Sequence, residues 1–308
     1  MEPSADLEGA SRLGEGWACV AWRVPTSHGA LALRIPKPGS WWAATDLERE
    51  ARLLPALEAR GLPVPRGARL LRDERGTVLG ALQSLIEGVP LRQLPPYSGV
   101  RWVLAVEIGR FLQRLHATPL QGAGSVEAWA AGGTRPAWAP PGDGSGDMWS
   151  DHYVPLIEQA ARRLPSASAR WLEARARRFV EQGGMASAPR ALIHGDCSSE
   201  HLLIVKERTL AGVIDWADAM VGDPALDFAA LLSASSRSLV KAVLEAYTLE
   251  GGSVDADAKR RVQFYLDVAP VFGVLFAEDG GFPEIARADR RRFAARAAAA
   301  GRASQGGA

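Results

Sequence analysis

Apolar and polar residues alternate near the amino end of the chain, and this alternation gives way to helical spacing further on. The segment 12–36 reads RLGEGWACVAWRV, then a polar turn at TSHG, then ALALRIP, which predicts three β-strands. Two more strand-like segments, ARLLRD and TVLGALQSLI, flank a turn at residues 73–76. Between the two groups a helix is predicted from Ala44 to Ala59, since its leucines fall on one side.

Beyond residue 98 the apolar spacing is mainly helical. A broad apolar stripe predicts a core helix from about Ser98 to His116, and a helical pair follows at Asp151–Arg163 and Ala167–Gln182. The segment Gln121–Ser150 holds 10 Gly or Pro residues and three tryptophans, Trp129, Trp138 and Trp149. These aromatic rings either line a binding site or pin a long loop onto the core. Residues 298–308 are predicted to form a disordered tail.

A short β-hairpin is predicted from two apolar runs, His201–Val205 and Leu210–Ile214. Asp196 lies before it in a His-Gly-Asp turn, and Asp215 follows it directly. Because a hairpin folds its ends together, the two carboxylates converge. One aspartate can accept the proton of a hydroxyl while the other binds Mg²⁺, so the layout predicts a phosphoryl-transfer site. The alternative is that both aspartates only cap turns.

The motifs HGDCSSEH, IDWADA and GDPALDF in residues 194–232 resemble a known family. They are similar to the aminoglycoside and macrolide antibiotic phosphotransferases, whose pattern is H-G-D-x-x-x-x-N, I-D-W or I-D-F, and G-D-P-x-x-D. His201 stands where most members carry Asn, as in the branch that holds the macrolide kinases and the aminoglycoside 2″-kinases. The resemblance implies that Asp196 is the catalytic base and Asp215 the main Mg²⁺ ligand. His201 would either help to hold the metal or only order the loop.

The resemblance also implies an α+β, two-lobed protein-kinase-like fold, with a small antiparallel-sheet N-lobe and a larger, mainly helical C-lobe. The N-lobe would span residues 1–86 and bind the nucleotide, and residues 87–308 would form the catalytic and acceptor-binding C-lobe. The link between lobes, near residues 84–88, would contact the purine base through the backbone of Ser84 and Ile86. The donor would be ATP or GTP.

Further residues of the N-lobe are candidates for the nucleotide site. Gly14 and Gly16 would let backbone amides approach phosphates, although the third glycine of G-x-G-x-x-G is absent and an ordinary hairpin turn is the alternative. Arg34 stands where a kinase carries its phosphate-binding lysine, with Lys37 as a competitor. Glu50 is the expected partner of Arg34, unless it belongs to a solvated charged face.

Three acids near the end of the motif region have other predicted roles. Asp218 is a candidate for orienting the acceptor. Asp223 and Asp227 are predicted to organise the loop by accepting backbone N–H bonds, since a buried carboxylate stabilises such turns.

Composition limits the functional classes. Lys and Arg number 36 against 35 for Asp and Glu, so no excess of positive charge indicates binding to nucleic acid. The first residues, MEPSADLEGA, lack the features of a signal peptide, and no apolar run is long enough to span a membrane, so we expect a cytoplasmic protein without a membrane partner. Two cysteines are too few for a disulfide framework.

The expected function is Mg²⁺-dependent transfer of a phosphoryl group to a hydroxyl of a small molecule. The last third of the chain has few acids, mainly Asp267, Glu278 and Asp279, which favours a weakly charged acceptor such as a macrolide over a polycation. The alternative is that the acids come from the tryptophan-bearing loop, where Asp143, Asp147 and Asp151 lie. Two alternatives remain open: a kinase of a metabolite such as an amino alcohol or sugar, and a nucleotide-binding module without turnover.

Overall fold

The computed structural model describes residues 5–94, 102–121, 153–184, 188–205, 209–278 and 280–305. The predicted tryptophan-bearing segment, with Trp129, Trp138 and Trp149, lies outside these ranges except for Gln121, and so does Asp279.

The amino-terminal part is a five-stranded antiparallel sheet. Its strands run in the order β1-β2-β3-β5-β4. The alternation read in the sequence produces this sheet, and each of its hairpins joins strands that are close in the chain. The strands and the helix that follows β3 are β1 (Ser11–Glu15), β2 (Cys19–Thr26), β3 (Gly29–Pro36), α1 (Ala43–Ala59), β4 (Arg69–Arg72) and β5 (Val78–Ser84).

Helix α1 joins the sheet to the rest of the molecule. Its first half packs on the sheet, where Ala43 and Leu47 share a small core with Val78 and Ala81. Its second half contributes leucines to the main core of the helical part, among them Leu53, Leu54 and Leu57. Fully burying a leucine side chain contributes about 1.5–3 kcal/mol, so these contacts fix α1 between the two parts.

The remainder of the chain is mainly helical. Short strands form two small sheets in it, ordered β6-β8-β9 and β10-β7. The elements are β6 (Val89–Pro90), α2 (Trp102–His116), α3 (Val154–Arg163), α4 (Ser166–Glu181), β7 (Ala191–Ile193), β8 (Leu202–Val205), β9 (Thr209–Val213), β10 (Met220–Gly222), α5 (Ala225–Ser233), α6 (Arg237–Leu249), α7 (Ala258–Val268), α8 (Pro270–Phe276) and α9 (Pro283–Gln305), with a 3-10 turn at Leu91–Gln93.

The predicted hairpin is present, because β8 and β9 pair antiparallel with Leu202 opposite Val213. This pairing brings the residues before β8 and after β9 to the same end of the small sheet. The strands β7 and β10 pair beside it, with Ile193 opposite Met220. Four strand ends therefore surround one loop cluster, and this cluster carries the two aspartates of the motifs.

The predicted disordered tail needs correction. Helix α9 continues through Gln305, so residues 298–305 are helical rather than disordered. The reason lies in the run Ala297–Ala300, because alanine has the highest intrinsic helix propensity of all residues. Within the described ranges, the helices are all too short or too polar to cross a membrane.

Candidate active site

The loop that carries Asp196 leaves β7 through a turn that requires glycine. Gly195 has a φ of +85°, in the left-handed region that side chains disfavour. A Cβ added there would lie 2.2 Å from the backbone oxygen of Asp218. The loop therefore packs directly against the segment after Asp215, and glycine is required for both reasons.

Asp227 holds this loop in place through hydrogen bonds to its backbone. Its carboxylate is fully buried and accepts hydrogen bonds from the backbone N–H of His194 at 3.0 Å and of Gly195 at 2.9 Å. His116 Nε2 lies 3.0 Å from the same carboxylate, and its Nδ1 lies 3.2 Å from the Tyr247 hydroxyl. The prediction that Asp227 organises the loop is confirmed, and His116, which the sequence left outside the site, supports it.

Asp223 acts elsewhere than predicted. It accepts hydrogen bonds from Arg261 Nε at 2.7 Å, from the Tyr265 hydroxyl at 3.0 Å and from the backbone N–H of Ala225 at 3.0 Å. Arg261 also contacts Asp255 at 2.6 Å. Asp223 therefore ties the start of α5 to α7, and its hydrogen bonds within the described part of the chain go to these elements rather than to the loop of Asp196.

Asp196, Asp215 and His201 form one cluster, with the imidazole between the two carboxylates. His201 Nδ1 lies 3.6 Å from Asp196 Oδ2, and Nε2 lies 3.5 Å from Asp215 Oδ2. Nδ1 is also 2.8 Å from the main-chain oxygen of Asp196, which can only accept, so Nδ1 carries a hydrogen. Nε2 faces Asp215. Nearly half of each aspartate side chain remains exposed, 46% for Asp196 and 42% for Asp215, so both can meet a ligand.

The ionisation of the cluster follows from its charges. Burial raises the pKa of Asp215, but Arg34 and His201 lower it more, so the carboxyl is ionised well below neutral pH. Burial lowers the pKa of His201, but Asp196 and Asp215 raise it more, and the net pKa lies above 6.5. The cluster therefore keeps an anionic Asp215 available for a cation at neutral pH.

Asp215 also has unusual backbone geometry. Its φ is +64°, and among the described residues no other non-glycine residue has a positive φ. Such a conformation costs of order 1–3 kcal/mol and persists only where the surroundings fix it. Here the next residue, Trp216, is held in place by hydrogen bonds from its backbone and its side chain. It donates its backbone N–H to Glu50 at 2.6 Å and its indole N–H to Val213 O at 2.9 Å, and these bonds fix the backbone at Asp215.

Arg34 and Glu50 lie behind the cluster. Arg34 Nη1 contacts Glu50, the partner that the sequence predicts, and Nη2 lies 3.1 Å from Asp215 Oδ1. The side chains are only 16% and 4% exposed, so the pair is largely shielded from water. Glu50 thus connects Arg34 on β3 with the segment that follows Asp215. Whether Arg34 binds phosphate stays a prediction.

The remaining nucleotide candidates occupy the sheet and the link after it. A Cβ added at Gly14 or Gly16 would meet no atom within 4 Å, so both glycines border open space. Ser84 N–H donates to Arg66 O at 2.8 Å, so this amide is already engaged within the protein. The Ile86 side chain packs over Gly212 of β9, where a Cβ would lie 2.5 Å from Ile86 Cδ1.

Two contacting residues escaped the sequence reasoning. His194 accepts the backbone N–H of Asp196 at 3.3 Å, and its Nε2 lies 3.0 Å from Ile214 O. Burial lowers its pKa, so it stays neutral and bridges the two motif segments. Arg49 donates to Ala219 O at 2.6 Å and docks α1 on the same segment. The position of His194 inside the HGD motif was a sequence signal for a role in the site. Arg49 carried no such signal, because its sequence context is that of any charged residue on a helix.

Two further acids face this region. Burial, followed by the charges of Asp196 and Asp215, raises the pKa of Asp218 to about 7. Burial, followed by the charge of Asp218, raises the pKa of Asp46 to about 8. Asp46 is 7% exposed, and its Oδ1 has no hydrogen-bond partner among the described residues. At neutral pH the Asp46 carboxyl is therefore mainly protonated and that of Asp218 about half protonated, which limits the negative charge where α1 meets the segment after Asp215.

The donor set fits Mg²⁺ only if a nucleotide shares it. Within the described ranges, no group of three or more His, Cys, Asp or Glu side chains is arranged to hold a metal ion. Mg²⁺ is usually held by one or two carboxylates together with water and substrate phosphates. Asp215, with Asp196 and His201 beside it, matches that pattern, and its accessible carboxylate is an oxygen donor suited to a hard cation.

The chain matches a known family over most of its length. A model of the phosphotransferase enzyme family matches residues 9–265. The chain belongs to this family. Its members transfer phosphoryl groups, and the clustered aspartates are in keeping with that chemistry.

Several solved structures share the fold of this chain. The GDP complex of wild-type aminoglycoside 2'-phosphotransferase-IIIa has a TM-score of 0.74 at 21% identity, over 96% of this chain and 94% of that chain. A macrolide 2'-phosphotransferase from Brachybacterium faecium, as the apoenzyme, has a TM-score of 0.66 at 22% identity, over 94% and 93%. A choline/ethanolamine kinase family protein from Mesorhizobium loti has a TM-score of 0.59 at 19% identity, over 93% and 87%.

These findings confirm two predictions from the sequence. The resemblance to the aminoglycoside and macrolide phosphotransferases is confirmed, as is the kinase-like fold with an antiparallel N-lobe sheet and a helical C-lobe. The predicted lobe boundary near residue 86 falls between β5 and β6 and stays a prediction.

Proposed function

We propose that this phosphotransferase moves the γ-phosphoryl group of ATP or GTP to a hydroxyl of a macrolide or aminoglycoside antibiotic, with Mg²⁺ as cofactor, and so inactivates the drug. The observation that carries the proposal is the cluster of Asp196 and Asp215 around His201, with the buried Arg34–Glu50 pair behind it. In the proposed reaction, one of these carboxylates serves the acceptor and the other serves the metal.

Each residue has a distinct role in the proposed reaction. Asp196 orients the acceptor hydroxyl and accepts its proton late in the transfer. Its position is fixed because Asp227 binds the preceding backbone N–H groups and because His201 binds its main-chain oxygen. Arg34 binds phosphate oxygens while Glu50 holds its guanidinium. Mg²⁺, bound by Asp215 with help from His201, would neutralise charge on the phosphates.

The acids of the last third favour a weakly charged acceptor. Asp267 contacts Arg175 at 2.8 Å, and Glu278 contacts Arg290 at 2.8 Å. Both carboxylates are therefore neutralised within the protein and are poor partners for a polycation. This supports a macrolide, which carries a single amine, over an aminoglycoside.

One second candidate is the phosphorylation of a small amino alcohol. It is favoured by the likeness in shape to the choline/ethanolamine kinase family protein. Such an acceptor also carries one cationic group, so the charges named above do not separate it from a macrolide.

A single assay separates these candidates. The purified protein is given ATP or GTP with Mg²⁺ and a panel of macrolides, aminoglycosides, choline and ethanolamine, and the acceptors are analysed by mass spectrometry for one added phosphoryl group. We expect a macrolide to react fastest. Phosphorylation of choline or ethanolamine alone would select the second candidate, and binding of neither nucleotide at millimolar concentration would refute both.

A further inference from the structure

Lys37 stands beside the glycine turn of the N-lobe. It follows β3 directly, and its backbone N–H donates to Ala18 O at 2.8 Å, which continues the pairing of β2 and β3. The turn itself is closed by a hydrogen bond from Gly16 N–H to Cys19 O at 2.9 Å. Residues 16–18 therefore form the tip of the β1–β2 hairpin, and the Lys37 side chain lies next to this tip.

The Lys37 ammonium group joins this tip to the C-lobe. Nζ donates to Gly16 O at 3.1 Å and to Gly280 O at 2.6 Å. It also lies 5.0 Å from the centre of the Phe282 ring, within the distance of a cation–π contact. Gly280 and Phe282 belong to the turn between α8 and α9, so one cation connects segments that are more than 240 residues apart in the chain.

A second contact brings the same two turns together. A Cβ added at Gly280 would lie 3.3 Å from the Cβ of Trp17 and 3.2 Å from Phe276 O. The absence of a side chain at Gly280 is what allows Trp17, at the tip of the N-lobe hairpin, to approach so closely. The contacts of Lys37 and of Trp17 are independent of each other and span the same gap between the lobes.

We infer that Lys37 is a positioning residue that closes one side of the cleft by tying the glycine turn to the α8–α9 turn. The inference rests on the proposed function, since the glycine turn would lie over the phosphates of the donor. In the closed form Lys37 holds the turn down on the phosphates through Gly16, and the nucleotide enters or leaves when the bridge opens. Lys37 therefore acts on the residence time of the nucleotide rather than on the phosphates themselves.

The first test removes the ammonium group and keeps the length of the side chain. In Lys37→Met we expect a fluorescent analogue of ADP or GDP to dissociate about tenfold faster in stopped-flow measurements, because hydrogen bonds from a charged donor are lost. Lys37→Arg should restore most of the slow dissociation, since it keeps a cation at this place. Lys241→Met is the matched control, because that lysine is 80% exposed and pairs only with Glu245 on its own helix.

The second test locks the bridge. The Cβ separation at residues 17 and 280 would be 3.3 Å, just below the range of about 3.5–4.5 Å found in disulfides, so a small outward shift of one turn brings the two positions into that range. We expect the double variant Trp17→Cys, Gly280→Cys to form a disulfide with oxidised glutathione, detected by mass spectrometry. Nucleotide exchange should then slow at least tenfold and recover on reduction.

The outcomes separate the inference from the proposed function. If no disulfide forms, or if the oxidised and reduced forms exchange nucleotide equally fast, the bridge does not close the cleft. Equal dissociation rates for Lys37→Met and Lys241→Met would exclude Lys37 from this role even if the wild-type protein binds nucleotide normally. If the wild-type protein binds neither ATP nor GTP, the proposed function fails first and the inference fails with it.

Discussion

Replacing Glu50 by Gln tests the connection between α1 and the candidate metal ligand. Glu50 is 4% exposed in its side chain and serves two groups, the guanidinium of Arg34 and the backbone N–H of Trp216. Glutamine keeps the shape and one acceptor oxygen but removes the charge. Among the described residues, Arg34 would then keep one ion-pair partner, Asp215 at 3.1 Å.

The magnitude follows from burial. Breaking a buried ion pair by removing one partner typically costs about 3–5 kcal/mol. Asp215 still compensates Arg34 in part, so we expect Glu50→Gln to lower the free energy of unfolding by about 2–4 kcal/mol, somewhat less than the loss of an uncompensated buried pair. Because Arg34 would draw Asp215 towards itself, we also expect weaker binding of Mg²⁺, so that a higher Mg²⁺ concentration is needed for half-maximal activity.

Glu48 on the same helix provides the control. It pairs with Arg72 at 2.7 Å, but the two side chains are 24% and 42% exposed. Exposed pairs contribute about 0.2–1 kcal/mol, so Glu48→Gln should change little. Urea unfolding followed by tryptophan fluorescence, with Mg²⁺ titrations of activity, compares the two variants. Equal losses of stability, or an unchanged Mg²⁺ requirement in Glu50→Gln, would refute the reasoning.

Three more predictions concern the loop and its surroundings. Asp196→Ala should lower kcat by about 10²–10⁴-fold with little change in the Kd of the nucleotide, since a general base contributes about that much; normal turnover would show that the base is another residue. Gly195→Ala should lower Tm far more than Gly183→Ala, because both have positive φ but only the first adds a clash; similar Tm values in thermal unfolding would contradict this. Burial and the charge of Asp218 raise the pKa of Asp46 from 3.8 to about 8, so the folded state keeps a proton that the unfolded state loses, and stability from this group falls as the pH rises from about 4 to about 8. Asp46→Asn does not titrate, so its Tm relative to wild type should increase between pH 5 and pH 8, and a constant difference would be evidence against the raised pKa.

Much of the fold was predictable because its signals are local. The alternation in residues 12–36 and the hairpin before Asp215 each depend on neighbours in the chain, and both strands and pairing follow the prediction. The tail was predicted wrongly because its glycines and polar residues suggested disorder, whereas the alanine run before them favours a helix.

The parts of the site that lie within short motifs were predictable, because the spacing within these motifs determines how the residues are arranged. HGD and IDW place two aspartates at the ends of one hairpin, so their convergence follows from the chain itself. The support of Asp227 by His116 was not predictable, since α2 and α5 are distant in sequence and only packing brings them together. The same holds for Asp223, whose partner Arg261 lies on α7.

The sequence by itself determined the reaction class and the family, because short motifs with fixed spacing carry the chemistry of phosphoryl transfer. Apart from the Arg34–Glu50 pair, which the sequence predicted, tertiary structure alone decided which charged groups meet. It placed Arg34 against Asp215 as well as Glu50, and it set Lys37 between the glycine turn of the N-lobe and the α8–α9 turn of the C-lobe. The physical reason is that ion pairs depend on distances of a few ångströms between elements far apart in the chain, and only the packing of α1 and the C-lobe core fixes those distances.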